Sequence, residues 1–211
     1  SHDGNPRALR AEQSSHDGNA YIAVTLALFI IGGVLIMSQA DRGDTEEGNA
    51  DVAFATEFDR LSVSGNSSCV GSFVDSIDVM PDSARLEGSC CSAMDMHRYS
   101  EQVGGLKAFK AVRGQNVAEI PDDPYNIHIG LAKRLKGYYD LQLTQSEQAA
   151  YDYAMEHSME KGPCCCKCWR WYVYGGLAKY LITQHGFTGE QLTKGWNLSD
   201  GCGGAGDHSG H

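Results

Sequence analysis

The chain has 211 residues, a length that suits one domain with appendages. Its 42% hydrophobic and 21% charged residues leave enough apolar side chains for a packed core. Asp and Glu number 27 against 17 Lys and Arg, and the net charge of −10 argues against nucleic acid as a partner, because phosphate binding requires a basic surface.

Residues 1–19 are polar and carry Ser-His-Asp-Gly-Asn twice, at Ser1–Asn5 and Ser15–Asn19. Two copies are too few for a repeat fold, so the segment reads as a disordered tail. From Ala20 to Met37 no residue is charged. At ~1.5 Å per residue this run spans about 27 Å, close to the hydrocarbon thickness of a bilayer. A transmembrane helix or signal anchor over 20–40 is therefore expected, with the membrane as a partner through Ala20–Met37. A cleaved signal peptide is the rival reading, since Ser38-Gln39-Ala40 resembles a small-x-small cleavage site. Arg7 and Arg10 before the run, against Arg42 after it, give a weak bias toward a cytoplasmic N-terminus. Either reading makes the C-terminal domain extracytoplasmic.

Residues 41–50 are acidic and contain glycine, as a linker does. Between Asp51 and Gly88 short apolar pieces alternate with Gly, Ser and Asp, a pattern that fits one or two short helices or a small hairpin. From Ser89 onward helical signals dominate. A helix is expected from Ala93 to Val103, stopping at Gly104-Gly105. Asp123-Pro124 reads as an N-cap with proline at the first helical position, followed by Ile127, Leu131 and Leu135 at helical spacing. Thr144 and Glu147 form a capping box for a helix to about Lys161, broken by Gly162-Pro163. The next helix is expected to begin within the cysteine cluster and run to about Gln184, with Trp169, Trp171, Tyr172 and Tyr174 as core anchors. Thr188 and Gln191 form another capping box, with Phe187 and Leu192 as a hydrophobic staple. Residues 201–211 form a loose Gly/His tail. The expected fold is all-α: a compact helical bundle over 51–200 behind a single transmembrane helix.

The chain has eight cysteines, and their placement carries the chemistry. Cys164, Cys165, Cys166 and Cys168 crowd together, Cys90 and Cys91 are adjacent, and Cys69 and Cys202 stand alone. If the cluster is helical, Cys164 and Cys168 share a face at i and i+4. A helix N-terminus there favours thiolates, which are soft ligands that select Cu(I), Zn or an iron–sulfur cluster. Lys167 and Arg170 can offset thiolate charge. If residues 90–97 are helical, Cys90, Met94 and His97 also share a face at i, i+4 and i+7, and a thiolate, thioether and imidazole set suits copper. The alternative is that Met94 fills the core and His97 sits on the surface. Cys202, in a glycine loop, can swing toward a site. The metal candidates are therefore Cys164, Cys165, Cys166, Cys168, Cys90, Cys91, Met94, His97 and Cys202.

Disulfides are the rival, because the space outside the membrane is oxidising. Four clustered cysteines face four others, Cys69, Cys90, Cys91 and Cys202. Four bridges from one short cluster are sterically severe, given the Cα separations each bridge demands. Redox-active thiols are the third state, since Cys165 and Cys168 flank two residues. No Ser-His-Asp set, phosphate loop or carboxylate pair stands out. If one site draws on both clusters, Cys90 and Cys91 lie beside Cys164–Cys168, with sulfurs roughly 4 Å apart, as bonds of ~2.3 Å to a shared ion dictate.

Pro163-Cys164-Cys165-Cys166-Lys167-Cys168 resembles the signature of the PCYCGC-motif proteins, small bacterial membrane-anchored or lipoprotein-type proteins without an established activity. Pro163, Cys164, Cys166 and Cys168 match the motif, while Cys165 stands at its tyrosine and Lys167 at its glycine. The preceding helix, with Tyr151, Ala154 and Glu156, is similar in style. The resemblance implies an exported, metal-handling domain. The expected function is thus soft-metal binding by an extracytoplasmic domain, Cu(I) first and Zn or an iron–sulfur cluster after it. The alternatives are a thiol–disulfide or iron–sulfur redox protein, or a disulfide-stapled surface domain.

Overall fold

The computed structural model describes residues 49–111 and 117–203. The polar tail, the uncharged run Ala20–Met37, most of the linker and the end of the Gly/His tail lie outside these residues. The chain divides into two units, Ser1–Phe54 and Ala55–His211. In the first, residues 49–54 are helical. The second is mostly helical, in agreement with the expected class. Its helices are α1 (55–64), α2 (Phe73–Val79), α3 (Met96–Ala111), α4 (Ile129–Gly137), α5 (Gln145–His157), α6 (Trp169–His185) and α7 (Gly189–Ser199).

One two-stranded antiparallel sheet interrupts the helices. It pairs β1 (Arg85–Glu87) with β2 (Asn126–His128), Leu86 opposite Ile127. A local hairpin near 51–88 was one expectation; the partner strand instead comes from far along the chain. Asp123-Pro124 does not open a helix. The Asp123 carboxylate accepts the Tyr125 N–H at 2.7 Å, closing a turn that leads into β2. The helix after it begins only at Ile129, with Ile127 in the strand and Leu135 buried.

α6 is the central helix. Val173, Leu177 and Leu181 form one buried row, and Tyr174, Ala178 and Ile182 form a second beside it. Two such rows give the helix neighbours on both sides, and α4, α5 and α7 pack against it. Trp169 and Tyr174 are buried core anchors as expected, while Trp171 and Tyr172 are half-buried. A fully buried side chain of this size contributes ~1.5–3 kcal/mol. Gly176 sits where α6 meets α4, and a Cβ there would collide with the Leu135 carbonyl.

Both capping boxes form. The Thr144 hydroxyl accepts from the Glu147 N–H and the Thr188 hydroxyl from the Gln191 N–H. Phe187 and Leu192 are both buried, as a staple requires. α3 differs from expectation, running straight through Gly104-Gly105 to Ala111. Gly105 is a packing notch, since a Cβ there would meet the Leu198 side chain near the end of α7. Contact with α7 outweighs the ~1 kcal/mol helix penalty of a glycine.

Candidate metal centre

Four separate loops bring all eight cysteines together. The segment Cys164–Cys168 lies between α5 and α6 as a series of bends rather than the expected helix, yet the Cys164 and Cys168 sulfurs still meet at 3.5 Å. Its turn is tied by Ser158, whose hydroxyl accepts from the Gly162 N–H at 2.8 Å and donates to the Gly162 carbonyl. The helix begins one residue after the cluster, with Cys168 at the N-cap of α6. Cys168 therefore faces the positive end of a 17-residue helix.

Cys90 and Cys91 follow β1 in a non-helical loop. This loop runs beside the chain end: Cys90 N–H donates to Gly201, Ser92 to Cys202 and Asp95 to Gly203, at 3.0–3.2 Å. That short ladder places Cys202 against Cys91, their sulfurs 3.6 Å apart. The remaining cysteine, Cys69, is anchored by the loop before it, where Trp169 donates its indole N–H to Ser67 at 3.0 Å. Its thiol donates to the Cys90 carbonyl at 2.8 Å and lies 2.7 Å from the Cys91 sulfur.

All eight cysteines are thiols. Cys164 lies 3.5 Å from Cys168 and 3.9 Å from Cys202; Cys91 lies 3.6 Å from Cys165 and 3.7 Å from Cys90; Cys165 lies 3.0 Å from Cys202. Three sulfurs bonded to one ion at ~2.3 Å lie roughly 4 Å apart, so most of these separations already suit a shared metal. The thiols fall into five groups of three, each within 4.8 Å of one another. Cys164, Cys168 and Cys202 form the buried floor, Cys69, Cys90, Cys165 and Cys166 are half-buried, and Cys91 opens to solvent.

Two features bear on the charge of the thiols: hydrogen bonds lower Cys90 and Cys165 while Cys69, Cys91, Cys164, Cys168 and Cys202 are raised, and a buried arginine lies beside them. Hydrogen bonds from the Cys164, Cys168, Cys202 and Cys91 thiols hold Cys90 well below the usual thiol range. Cys165 is lowered to about 5, first by its hydrogen bond with Cys164. The shift runs in the other direction at Cys164, which is raised by its hydrogen bonds to Cys165 and Cys168. The second feature is Arg170, which is 1% exposed yet forms no ion pair with a carboxylate among the described residues. Its guanidinium donates to the carbonyls of Pro124 at 2.5 Å and Gly88 at 3.2 Å, and lies over the Trp169 and Tyr125 rings. Burial opposes its charge, but the neighbouring Cys90, Tyr174 and Cys164 outweigh that and raise its pKa. A Cβ on Gly201 would collide with this guanidinium, so glycine lets the Cys202 loop close over it. Lys167, by contrast, is exposed and reaches over the Trp171 ring.

Of the residues expected at the site, Cys90, Cys91, Cys164, Cys165, Cys166, Cys168 and Cys202 converge. His97 does not. Its side chain is 86% exposed and its Nε2 lies 3.2 Å from Glu101. The expected face of Cys90, Met94 and His97 fails because α3 begins only at Met96. Met94 precedes that helix and is half-buried. Cys69 is the residue that sequence reasoning missed as a ligand. Its one signal was the even count of four cysteines outside the cluster. No protein family, curated protein or solved structure matches this chain, so the resemblance to the PCYCGC-motif proteins rests on the motif residues alone.

Proposed function

We propose that this protein binds a thiophilic metal, Cu(I) foremost, in the eight-thiol centre, as an extracytoplasmic domain tethered by Ala20–Met37. The observation that carries the reading is the convergence of eight thiols from four loops, with sulfur separations near those of a shared ion. The five groups contain cysteine only, without histidine or carboxylate. All-sulfur donors select soft ions over Mg, Ca or Mn. Groups of three suit the two or three thiolates Cu(I) takes, whereas structural zinc takes four ligands. The buried Arg170 supplies a counter-charge for an anionic centre.

The test is a competition titration of reduced protein with Cu(I) and a chromogenic chelator under anaerobic conditions. The protein is expected to draw Cu(I) from the chelator. Replacing Cys164, Cys166 and Cys168 together by serine should remove most of that capacity, because serine is a poor ligand for soft metals. Retained capacity in this variant, with its fold confirmed by circular dichroism, refutes the assignment. The tether is tested separately: protease added to intact cells should digest the domain, and digestion only after lysis refutes the orientation.

One observation favours a second reading, thiol–disulfide chemistry. Cys69–Cys91 and Cys165–Cys202 are the closest pairs, at 2.7 and 3.0 Å, and either can oxidise to a bridge after a small shift. Thiol titration of native protein with and without reductant separates the two. Thiols that appear only after reduction, in a protein that then binds no metal, select the disulfide reading.

A further inference from the structure

The five groups of three share their sulfurs. Cys69, Cys90, Cys91, Cys164, Cys166, Cys168 and Cys202 each belong to two groups, and only Cys165 belongs to one. Eight sulfurs can supply at most two separate groups of three, since a third would need a ninth sulfur. Cys164-Cys165-Cys202 with Cys69-Cys90-Cys168 is one such pair, and Cys90-Cys91-Cys202 with Cys164-Cys166-Cys168 is another. Cys69-Cys91-Cys166 with Cys164-Cys165-Cys202 is the third, and the same sulfurs lie within reach of more than one division. Any ion beyond the second that takes three thiolates must therefore be held by sulfurs that already bind another ion.

Thiolate sulfur has lone pairs enough to bridge two soft cations. Bridging also lowers the cost of crowding anions, because each sulfur is then neutralised from two sides. A set of eight thiols arranged for one ion would leave most of them idle, although three are fully buried beside others that are half-buried. We propose that the centre is polynuclear: it holds more than two Cu(I) ions joined by shared thiolates. This inference rests on the metal-binding reading above and specifies its capacity and mode of filling. No electron transfer is involved. Each Cu(I) replaces thiol protons, which pass to solvent as the Cu–S bonds form.

The test is an anaerobic titration of the reduced, metal-free full chain in detergent with Cu(I), followed by native mass spectrometry and metal analysis. More than two ions per chain are expected. Metal-free and fully loaded molecules should dominate at half-saturation, because shared thiolates make later ions bind more readily than the first. Two variants sharpen the outcome. Cys91 is exposed and belongs to two groups, whereas the His97 imidazole faces solvent and Glu101 and belongs to none. C91S should lose at least one ion and the all-or-none filling, while H97A should keep both more than two ions and cooperative loading. A wild-type capacity of one or two ions filled independently overturns the polynuclear centre and leaves the metal-binding reading standing. Equal effects of C91S and H97A also overturn it. Iron with an equal amount of acid-labile sulfide in the purified protein overturns it too, since sulfide rather than thiolate would then bridge. Failure to bind any soft metal overturns both readings.

Discussion

Arg170 offers the most informative single perturbation, Arg170→Met. The guanidinium is fully buried, holds two backbone carbonyls and has the thiol cluster as its anionic neighbour. Methionine keeps much of the volume but removes the charge and both hydrogen bonds. Two carbonyls left without partners cost ~1–3 kcal/mol each, partly offset because a buried cation no longer has to be desolvated. These terms act on metal-free and loaded protein alike. The electrostatic term does not. The guanidinium bonds to carbonyls rather than to a sulfur, so its attraction to the centre stays below the ~4 kcal/mol of two unit charges in contact, and it grows as the centre carries more negative charge. If the loaded centre is the more anionic state, the variant should lose ~1–3 kcal/mol of Cu(I) binding, about 5- to 150-fold in affinity. The assays are chelator competition for affinity and urea melts of both forms for stability. R170K, which keeps the charge but not the planar fork, should recover part of the affinity. Wild-type affinity in R170M, with a lowered melt in both forms, would show that Arg170 serves packing alone.

Other expected outcomes concern single sites. H97A should leave Cu(I) capacity unchanged, because the imidazole faces solvent and Glu101, whereas C69S should reduce it, because Cys69 belongs to two of the five groups; the same titration reads both. T144A and T188A each remove an N-cap hydroxyl and should cost ~1 kcal/mol in a denaturant melt; no loss in either would refute the capping role. Burial raises the Asp123 carboxyl above its ordinary value, against hydrogen bonds from the Tyr99 hydroxyl and the Tyr125 N–H. Its folded form thus holds a proton more tightly than its unfolded form, and its stabilising contribution is fully present below the unfolded pKa and lost as pH rises through the folded one. The stability of D123N relative to wild type should therefore rise with pH across that window in urea melts at stepped pH, and a falling difference would refute the sign.

What could be read from the sequence was what short stretches settle for themselves. Thr144-Glu147 and Thr188-Gln191 satisfy N–H groups three residues away, so both boxes form as written. Of the aromatic run after the cysteines, Trp169 and Tyr174 anchor α6 as expected, while Trp171 and Tyr172 stay half-buried. The crowding of Cys164, Cys165, Cys166 and Cys168 marked a soft-ligand site without any knowledge of the fold. Local signals failed where two structures satisfy the same groups. An Asp123 side chain that accepts an N–H two residues on can open a turn as readily as a helix. Gly104-Gly105 can end a helix or notch it for a neighbour, and the decision rests with Leu198, far away in sequence. The composition of the centre was a tertiary matter. Cys202 reaches it through a backbone ladder between 90–95 and 201–203, and Cys69 through the bond from Trp169 to Ser67. Arg170 became a buried counter-charge only because Gly201 closes over it. Each of these contacts joins residues more than 30 positions apart, and no local pattern encodes which distant loop will supply the partner.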